Sequence, residues 1–322
     1  MSISNYTTMK NLLSILFSII LFGSLQAQDE SIFTQYHLNY TLVNPGATGF
    51  NEGHELFLHA RLQFTGFEGD GNPQSYAISY NGRVAESFGL GALVFREDIA
   101  SLSRTRIQLN YAFQFNRFEH LKLGVGFSTE FEQNSVPSSY LDNPLVDLDD
   151  ELLNDNINGR NFFDASLGIF GQIKGNTYFG LSIPNLISQR LDNINSGVTT
   201  ATDDRSTYYI LTAGHSFEIE EHNFILEPSI QIRRARNTPF GVDFNLKAKY
   251  LEERIIAGLS YRSGTGGNVA LLIGSKFNSF KIFYSYGFAF QRFQRYNSGS
   301  HELTLGLEFG NKEKDRAAKH RR

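Results

Sequence analysis

The sequence predicts an all-β protein: a transmembrane antiparallel up-and-down β-barrel of about 14 strands, placed after a cleaved signal peptide and an irregular N-terminal segment. Three observations predict it. Apolar and polar residues alternate with period two from end to end. The links between these stretches alternate between short and long. The one long apolar run is N-terminal and shorter than the roughly 20 residues a membrane-spanning helix needs. Composition agrees, since 29 Phe, 15 Tyr and 29 Gly against 7 Pro suit many strands joined by tight turns.

Lys10 precedes the apolar run Leu12 to Leu25, which ends at SLQAQD. Small Ala27 suits a signal peptidase, so the mature chain is expected to start at Gln28. A retained transmembrane helix is the competing reading. No other stretch is long enough to span as a helix, so a membrane location requires a barrel. The organisation expected is 1–27 signal peptide, 28–55 N-terminal periplasmic or plug segment, 56–310 outer-membrane β-barrel and 311–322 basic C-terminal tail.

The clearest strands are LFLHARLQF (56–64), IQLNYAFQF (107–115), LKLGVGFSTEFE (121–132), FGVDFNLKAKY (240–250) and FKIFYSYGFAF (280–290). Weaker alternation marks 74–81, 87–96, 163–172, 177–183, 207–217, 223–232, 254–261 and 267–276. The last strand is 301–309. Short links fall at 116–120, 174–176, 218–222, 251–253 and 278–279. Longer ones fall at 67–73, 97–103, 133–162, 184–206, 233–239 and 291–300, with 262–266 brief. Short periplasmic turns opposite longer outer loops are the rule for outer-membrane barrels, and they place both termini in the periplasm. A strand of about ten residues, tilted near 40°, rises roughly 25 Å, the height of the apolar band.

The polar side of the strands carries Arg61, Lys122, Glu130, Asp243, Lys247, Lys281, Glu302 and Glu308. A charge at the lipid midplane costs about 2–4 kcal/mol, so these residues are expected to face the lumen. Leu303, Leu305, Leu307 and Phe309 then face lipid. No Trp is present, so any interfacial girdle is built from Tyr and Phe.

Chemistry is mostly read by exclusion. Without cysteine there is no disulfide, thiol catalyst or cysteine-ligated metal. The net charge of -4 and pI near 6.1 give no reason to expect a nucleic-acid partner. The eight histidines (His37, His54, His59, His120, His215, His222, His301 and His320) include no zinc-motif spacing, and they read as lumen, turn or tail residues. The GTGG at 264–267 joins two strands and reads as a turn. The acidic stretch 141–156 reads as a solvated loop. Calcium binding through Asp147, Asp149 and Asp150 is the alternative, although the glycine and closing glutamate of an EF-hand are missing. Leu145 and Val146 beside Asp149 mix apolar and acidic groups, which suits contact with a partner. The tail reads as a solvated end or a dock for an acidic partner. No catalytic, cofactor-binding or metal residue is expected, and no nucleophile and base are marked as a pair.

QYHLNYTLVNPGATGF (35–50), LGIFGQIKGNTYFGLSIPNLI (167–187), AGLSYRSG (257–264) and SGSHE (298–302) occur in that order along the mature chain. In these motifs the sequence resembles the PorP/SprF family of outer-membrane proteins of the type IX secretion system of Bacteroidota. It departs from the family at Gly46, where alanine is usual, and in the tail beyond Phe309. The resemblance implies a non-enzymatic barrel that assists secretion or surface anchoring of a large cargo such as a gliding or attachment adhesin. Its implied partners are type IX secretion components, that adhesin and outer-membrane lipid. Residue by residue, Gln35, Tyr36, Asn39, Asn44 and Pro45 carry the opening motif and are candidate partner contacts, together with Leu145, Val146 and Asp149. Asn44-Pro45-Gly46 reads as a turn, and segment 28–55 either seals the barrel or docks a partner. A passive porin, or a channel of the fatty-acid-transporter type, is the alternative function.

Overall fold

The computed structural model describes residues 33–66, 71–100, 102–136, 159–191, 208–235, 240–263, 267–290 and 297–310. The expected signal peptide, the acidic loop with Leu145, Val146 and Asp149, most of the 184–206 link, residues 264–266 of GTGG and the basic tail lie outside these residues.

Strand segments follow in chain order: β1 (His54–Leu62), β2 (Gln74–Ala85), β3 (Phe88–Ile99), β4 (Leu102–Phe118), β5 (Leu121–Ser135), β6 (Arg160–Ile173), β7 (Thr177–Ile183) and β8 (Gln189–Arg190). The second half is β9 (Tyr208–His215), β10 (Phe217–Ile219), β11 (Phe224–Ala235), β12 (Gly241–Tyr250), β13 (Ile255–Arg262), β14 (Asn268–Phe277), β15 (Phe280–Ala289) and β16 (Ser300–Phe309). All pairings are antiparallel, and with β8 and β10 set aside each strand pairs with its neighbours in chain order. β16 returns to β1, from His54 opposite Phe309 to Leu62 opposite His301, and so closes the sheet and leaves no free edge. β8 resumes β7 on the same neighbour, β6, and β10 resumes β9 on β11. The wall is thus a closed antiparallel barrel of 14 strands.

Alternation sorts the side chains as a lipid-facing barrel demands. Leu58, Ile78, Val94, Leu109, Leu271 and Ile282 are exposed on the outside, while Ser79, Asn81, Gln108, Asn110 and Asn245 are buried inside. Leu305 is 41% exposed and its neighbour Thr304 is 0% exposed. Leu305→Arg is therefore expected to destabilise the barrel by about 2–4 kcal/mol. Heat-modifiable gel mobility reads this as loss of the compact band, and Leu305→Phe should keep it. Thr304 is covered on the inner face, where its hydroxyl meets His59 Nδ1 at 2.8 Å.

Two links differ from the sequence reading. The 97–103 link, expected to be long, is a tight reversal between Ile99 and Leu102. Ala100 adopts φ +50°, and that left-handed residue turns the chain without a loop. The 184–206 link begins as a bulge that returns to the wall as β8. Asp164 accepts the N–H groups of Ile187 (3.1 Å) and Ser188 (3.3 Å) and the Ser188 hydroxyl (3.0 Å), replacing the ladder bonds the bulge gives up.

Residues 33–50 fold inside the barrel as three 3-10 turns, Thr34–Leu38, Tyr40–Leu42 and Pro45–Ala47. Such turns are too short to persist alone. Asn39 Oδ1 caps the second by accepting from Thr41 N (3.3 Å), and Asn44 Oδ1 caps the third by accepting from Gly46 N (2.8 Å). The remaining order comes from the wall.

Candidate functional site: the plugged lumen

The wall holds the internal segment at both ends with charges matched to the peptide groups they meet. At its start, the Glu302 carboxylate accepts from Thr34 N (2.9 Å) and Gln35 N (2.8 Å). Gln35 Nε2 adds bonds to Ser285 Oγ (2.8 Å) and the Glu302 carbonyl (3.1 Å). At its end, Arg83 donates to the carbonyls of Gly49 (3.0 Å) and Phe50 (2.7 Å), and Lys122 also donates to the Phe50 carbonyl. An anion thus takes the orphan N–H groups and cations take the orphan carbonyls, the stronger class of hydrogen bond.

Between the clamps the segment rests on apolar seats set among the polar lumen residues. Phe33 packs on Phe95 and Leu93, and Leu38 on the cluster of Ile256, Leu272 and Phe283. Tyr36 and Val43 meet Ile210, while Ala47 and Phe50 meet Phe170 and Tyr178. Tyr40 donates its hydroxyl proton to Tyr178 at 2.6 Å, and Asn245 donates to the Tyr36 hydroxyl at 2.8 Å. Asn44 Nδ2 reaches the wall's own carbonyls, Ile169 (2.9 Å) and Leu181 (3.3 Å). Gly46 lies on Gly168, and a Cβ at 46 would stand 2.8 Å from the Gly168 carbonyl oxygen. The departure from alanine noted in the sequence has its reason there.

Lumen charges segregate along the barrel. At the short-turn end a ladder of alternating Glu and Lys runs from Glu55 to Lys281 (3.2 Å), Glu308 (2.5 Å) and Lys276 (3.0 Å). It continues through Glu253 (3.3 Å), Lys249 (2.9 Å), Glu227 (3.2 Å) and Lys247 (3.0 Å). Lys247 then donates to the His37 carbonyl at 3.4 Å, joining ladder to plug. A cavity of about 340 Å³ lies between the two. Toward the long-loop end the cations are arginines: Arg61 with Glu302 (3.8 Å), Arg104 with Glu132 (2.9 Å), Arg106 with Glu130 (3.8 Å) and Arg262 with Asp243 (2.9 Å).

Of the candidate partner contacts, Gln35, Tyr36, Asn39, Asn44 and Pro45 are all buried in the lumen. Meeting a partner through them requires the segment to leave its seat. Arg61, Glu130, Asp243, Lys247 and Glu302 lie buried on the inner side of their strands, and Lys122, Lys281 and Glu308 sit near the short-turn end. Sequence reading did not single out Arg83, Gln114 or Asn81, which hold the plug. Nor did it separate the inward aromatics Phe57, Phe95 and Phe170 from those facing lipid.

His37 makes the plug sensitive to acid. Burial pushes its imidazole down to about 3, with Lys247 adding to the effect and Glu227, the Thr34 carbonyl and Asp243 opposing it. A released plug would bind a proton near the ordinary histidine value that the seated plug cannot bind, so seating is fully favourable above pH 6.5 and weakens as pH falls toward 3. At pH 5 the loss is about 2 kcal/mol. Single-channel conductance between pH 7.5 and 5 is expected to show more frequent opening in acid, and His37→Gln should flatten that dependence. An unchanged slope in the variant refutes the assignment to His37.

A closed antiparallel wall, apolar outside, polar inside and stopped by its own N-terminal segment, defines a plugged transmembrane β-barrel of outer-membrane type. Residues 25–307 match the type IX secretion system membrane protein family PorP/SprF, and the chain belongs to that family. No curated protein matches it in sequence. Among solved structures the CymD monoaromatic hydrocarbon channel is similar at 14% identity, covering 86% of this chain and 93% of that one with a TM-score of 0.49. The Pseudomonas putida toluene transporter TodX is similar at 11% identity, with coverage of 84% and 92% and a TM-score of 0.48. The KdgM porin shares 11% identity, with coverage of 80% and 98% and a TM-score of 0.38. These are likenesses between barrels.

Proposed function

We propose that this barrel acts without enzymatic chemistry to assist type IX secretion or surface retention of one large cargo, such as a gliding or attachment adhesin. It works from the outer membrane with both termini in the periplasm and the long loops outside. Family membership supports the secretion role. The observation that carries the choice over a passive channel is the filled lumen, where residues 33–50 are clamped at both ends and largely buried between. The acidic loop with Leu145, Val146 and Asp149 is the outer surface assigned to cargo contact. The plug is the element that responds from within.

Deletion of the gene followed by surface labelling of adhesins tests the role, with complementation by a chain lacking 141–156 whose barrel assembly is verified separately. Loss of one adhesin on deletion, not restored by the loop-less chain, is expected. Unchanged display of every adhesin after deletion overturns the proposal. Robust small-solute flux through the wild-type barrel in liposome swelling would favour the channel instead.

A further inference from the structure

Residues 44–49 meet the wall mainly through main chain, and the wall is shaped to receive main chain. Pairing places Gly89, Ala112, Gly126, Gly168 and Ser182 opposite one another in a single row across β3 to β7. Side chains are smallest where the segment crosses. A Cβ at Gly89 would stand 2.5 Å from the Thr48 carbonyl oxygen, and one at Gly126 would overlap the Pro45 carbonyl group. Amide side chains flank the row. Gln114 Nε2 donates to the Thr48 carbonyl at 2.7 Å, and Asn81 Oδ1 accepts from Gly49 N at 2.7 Å.

Two buried groups at this row are unused by the resident segment: Gln114 Oε1 and Ser182 Oγ have no hydrogen-bond partner among the described residues, although the residues are 2% and 1% exposed. A permanent seal gains by filling such positions with apolar side chains, since an unpaired buried acceptor is costly. A seat that must also take another chain keeps acceptors for a second set of N–H groups.

We propose that this row is a main-chain recognition trough, which binds a peptide segment of small residues supplied by another polypeptide, with residues 44–49 as its resident competitor. The trough reads backbone and not side chains, because glycines let the chains approach closely and the amides address peptide N–H and C=O. This deepens the secretion reading and rests on it only for the source of the peptide, an exported chain.

The test uses full-length protein in detergent and a fluorescein-labelled peptide with the sequence of residues 40–50. Asn44→Ala removes the cap of the third turn and the bonds to Ile169 and Leu181, weakening the resident segment. The chain has no cysteine, so Thr48→Cys with Gly91→Cys adds one cross-link. Thr48 Cγ2 lies 3.2 Å from where a Cβ at 91 would stand. Fluorescence anisotropy is expected to show saturable binding to Asn44→Ala at least tenfold tighter than to wild type. Adding the oxidised cross-link should abolish binding, and reduction should restore it. No binding to Asn44→Ala overturns the trough, whether or not conductance shows the plug to have moved. Equal binding of the same peptide carrying Gly46→Leu, Ala47→Leu and Gly49→Leu, or binding that persists under the oxidised cross-link, overturns it too. Adhesin display after gene deletion reads the secretion role separately.

Discussion

Gly126→Val is expected to open the barrel without unfolding it. A side chain there overlaps the Pro45 carbonyl group, and the neighbouring Gly124 and Gly168 positions are as tightly covered by Gly46 and Asn44, so the plug has nowhere to shift along its seat. Overpacking within a well-filled interior costs about 1–3 kcal/mol where neighbours can relax. Here the relaxation available is withdrawal of the segment. Valine suits a strand, and the wall pairing of Gly126 with Ala112 and Gly168 needs no change. The compact heat-modifiable band should persist while bilayer conductance rises at least tenfold over wild type. Gly71→Val, at a glycine with nothing within 4 Å of the added carbon, should leave conductance unchanged. A Gly126→Val barrel that folds and conducts no more than wild type would show that the plug does not depend on this seat.

Glu302→Ala should release the first part of the plug and spare the last. The carboxylate accepts two main-chain N–H groups and faces Arg61 at 3.8 Å, all within a buried site. Removing one partner of a buried charge pair costs about 3–5 kcal/mol, because the other charge is left behind. Each hydrogen bond to a charged group is worth about 1.5–3 kcal/mol. Residues 44–50 keep Arg83, Lys122, Gln114 and Asn81, so the two ends respond separately. Hydrogen exchange followed by mass spectrometry is expected to show lost protection over 33–38 and retained protection over 44–50. Glu302→Gln, which keeps an acceptor but not the charge, should give an intermediate loss. Protection of 33–38 equal to wild type in Glu302→Ala would mean that the apolar seats alone hold the segment.

The wall was legible because its signal is local. Each strand from 121–135 to 300–309 carries its own alternation, and one residue of slip would turn Leu303, Leu305 and Leu307 inward, so lipid outside and water or polar groups inside select the register strand by strand. The tight turn at Ala100 and the bulge held by Asp164 were hidden. One depends on the left-handed conformation of Ala100, and the other on a carboxylate pairing with amides more than twenty residues away.

The site was legible in part. Asn44-Pro45-Gly46 announced a turn, and the lumen charges fell on the polar side of their strands. A further sign lies in the glycines: Gly89 and Gly91 of FGLGALV, Gly124 and Gly126 of LKLGVGFS and Gly168 of LGIFG share the inward parity of Glu97, Lys122 and Asp164 on their strands, the pattern expected where another backbone approaches closely. Alternation alone cannot say whether an inward Phe95 or Phe170 meets water or a plug, since both place the ring on the same face.

By itself, then, the sequence determined a closed β wall with an apolar outside, its strand order and the turn at Asn44, because period-two patterning and turn chemistry act over a few residues. Only the tertiary structure decided that residues 33–50 fill the lumen. That outcome depends on Glu302 and Ser285 meeting Gln35 across more than 200 residues, and on five small side chains from five strands lining up once the barrel has closed.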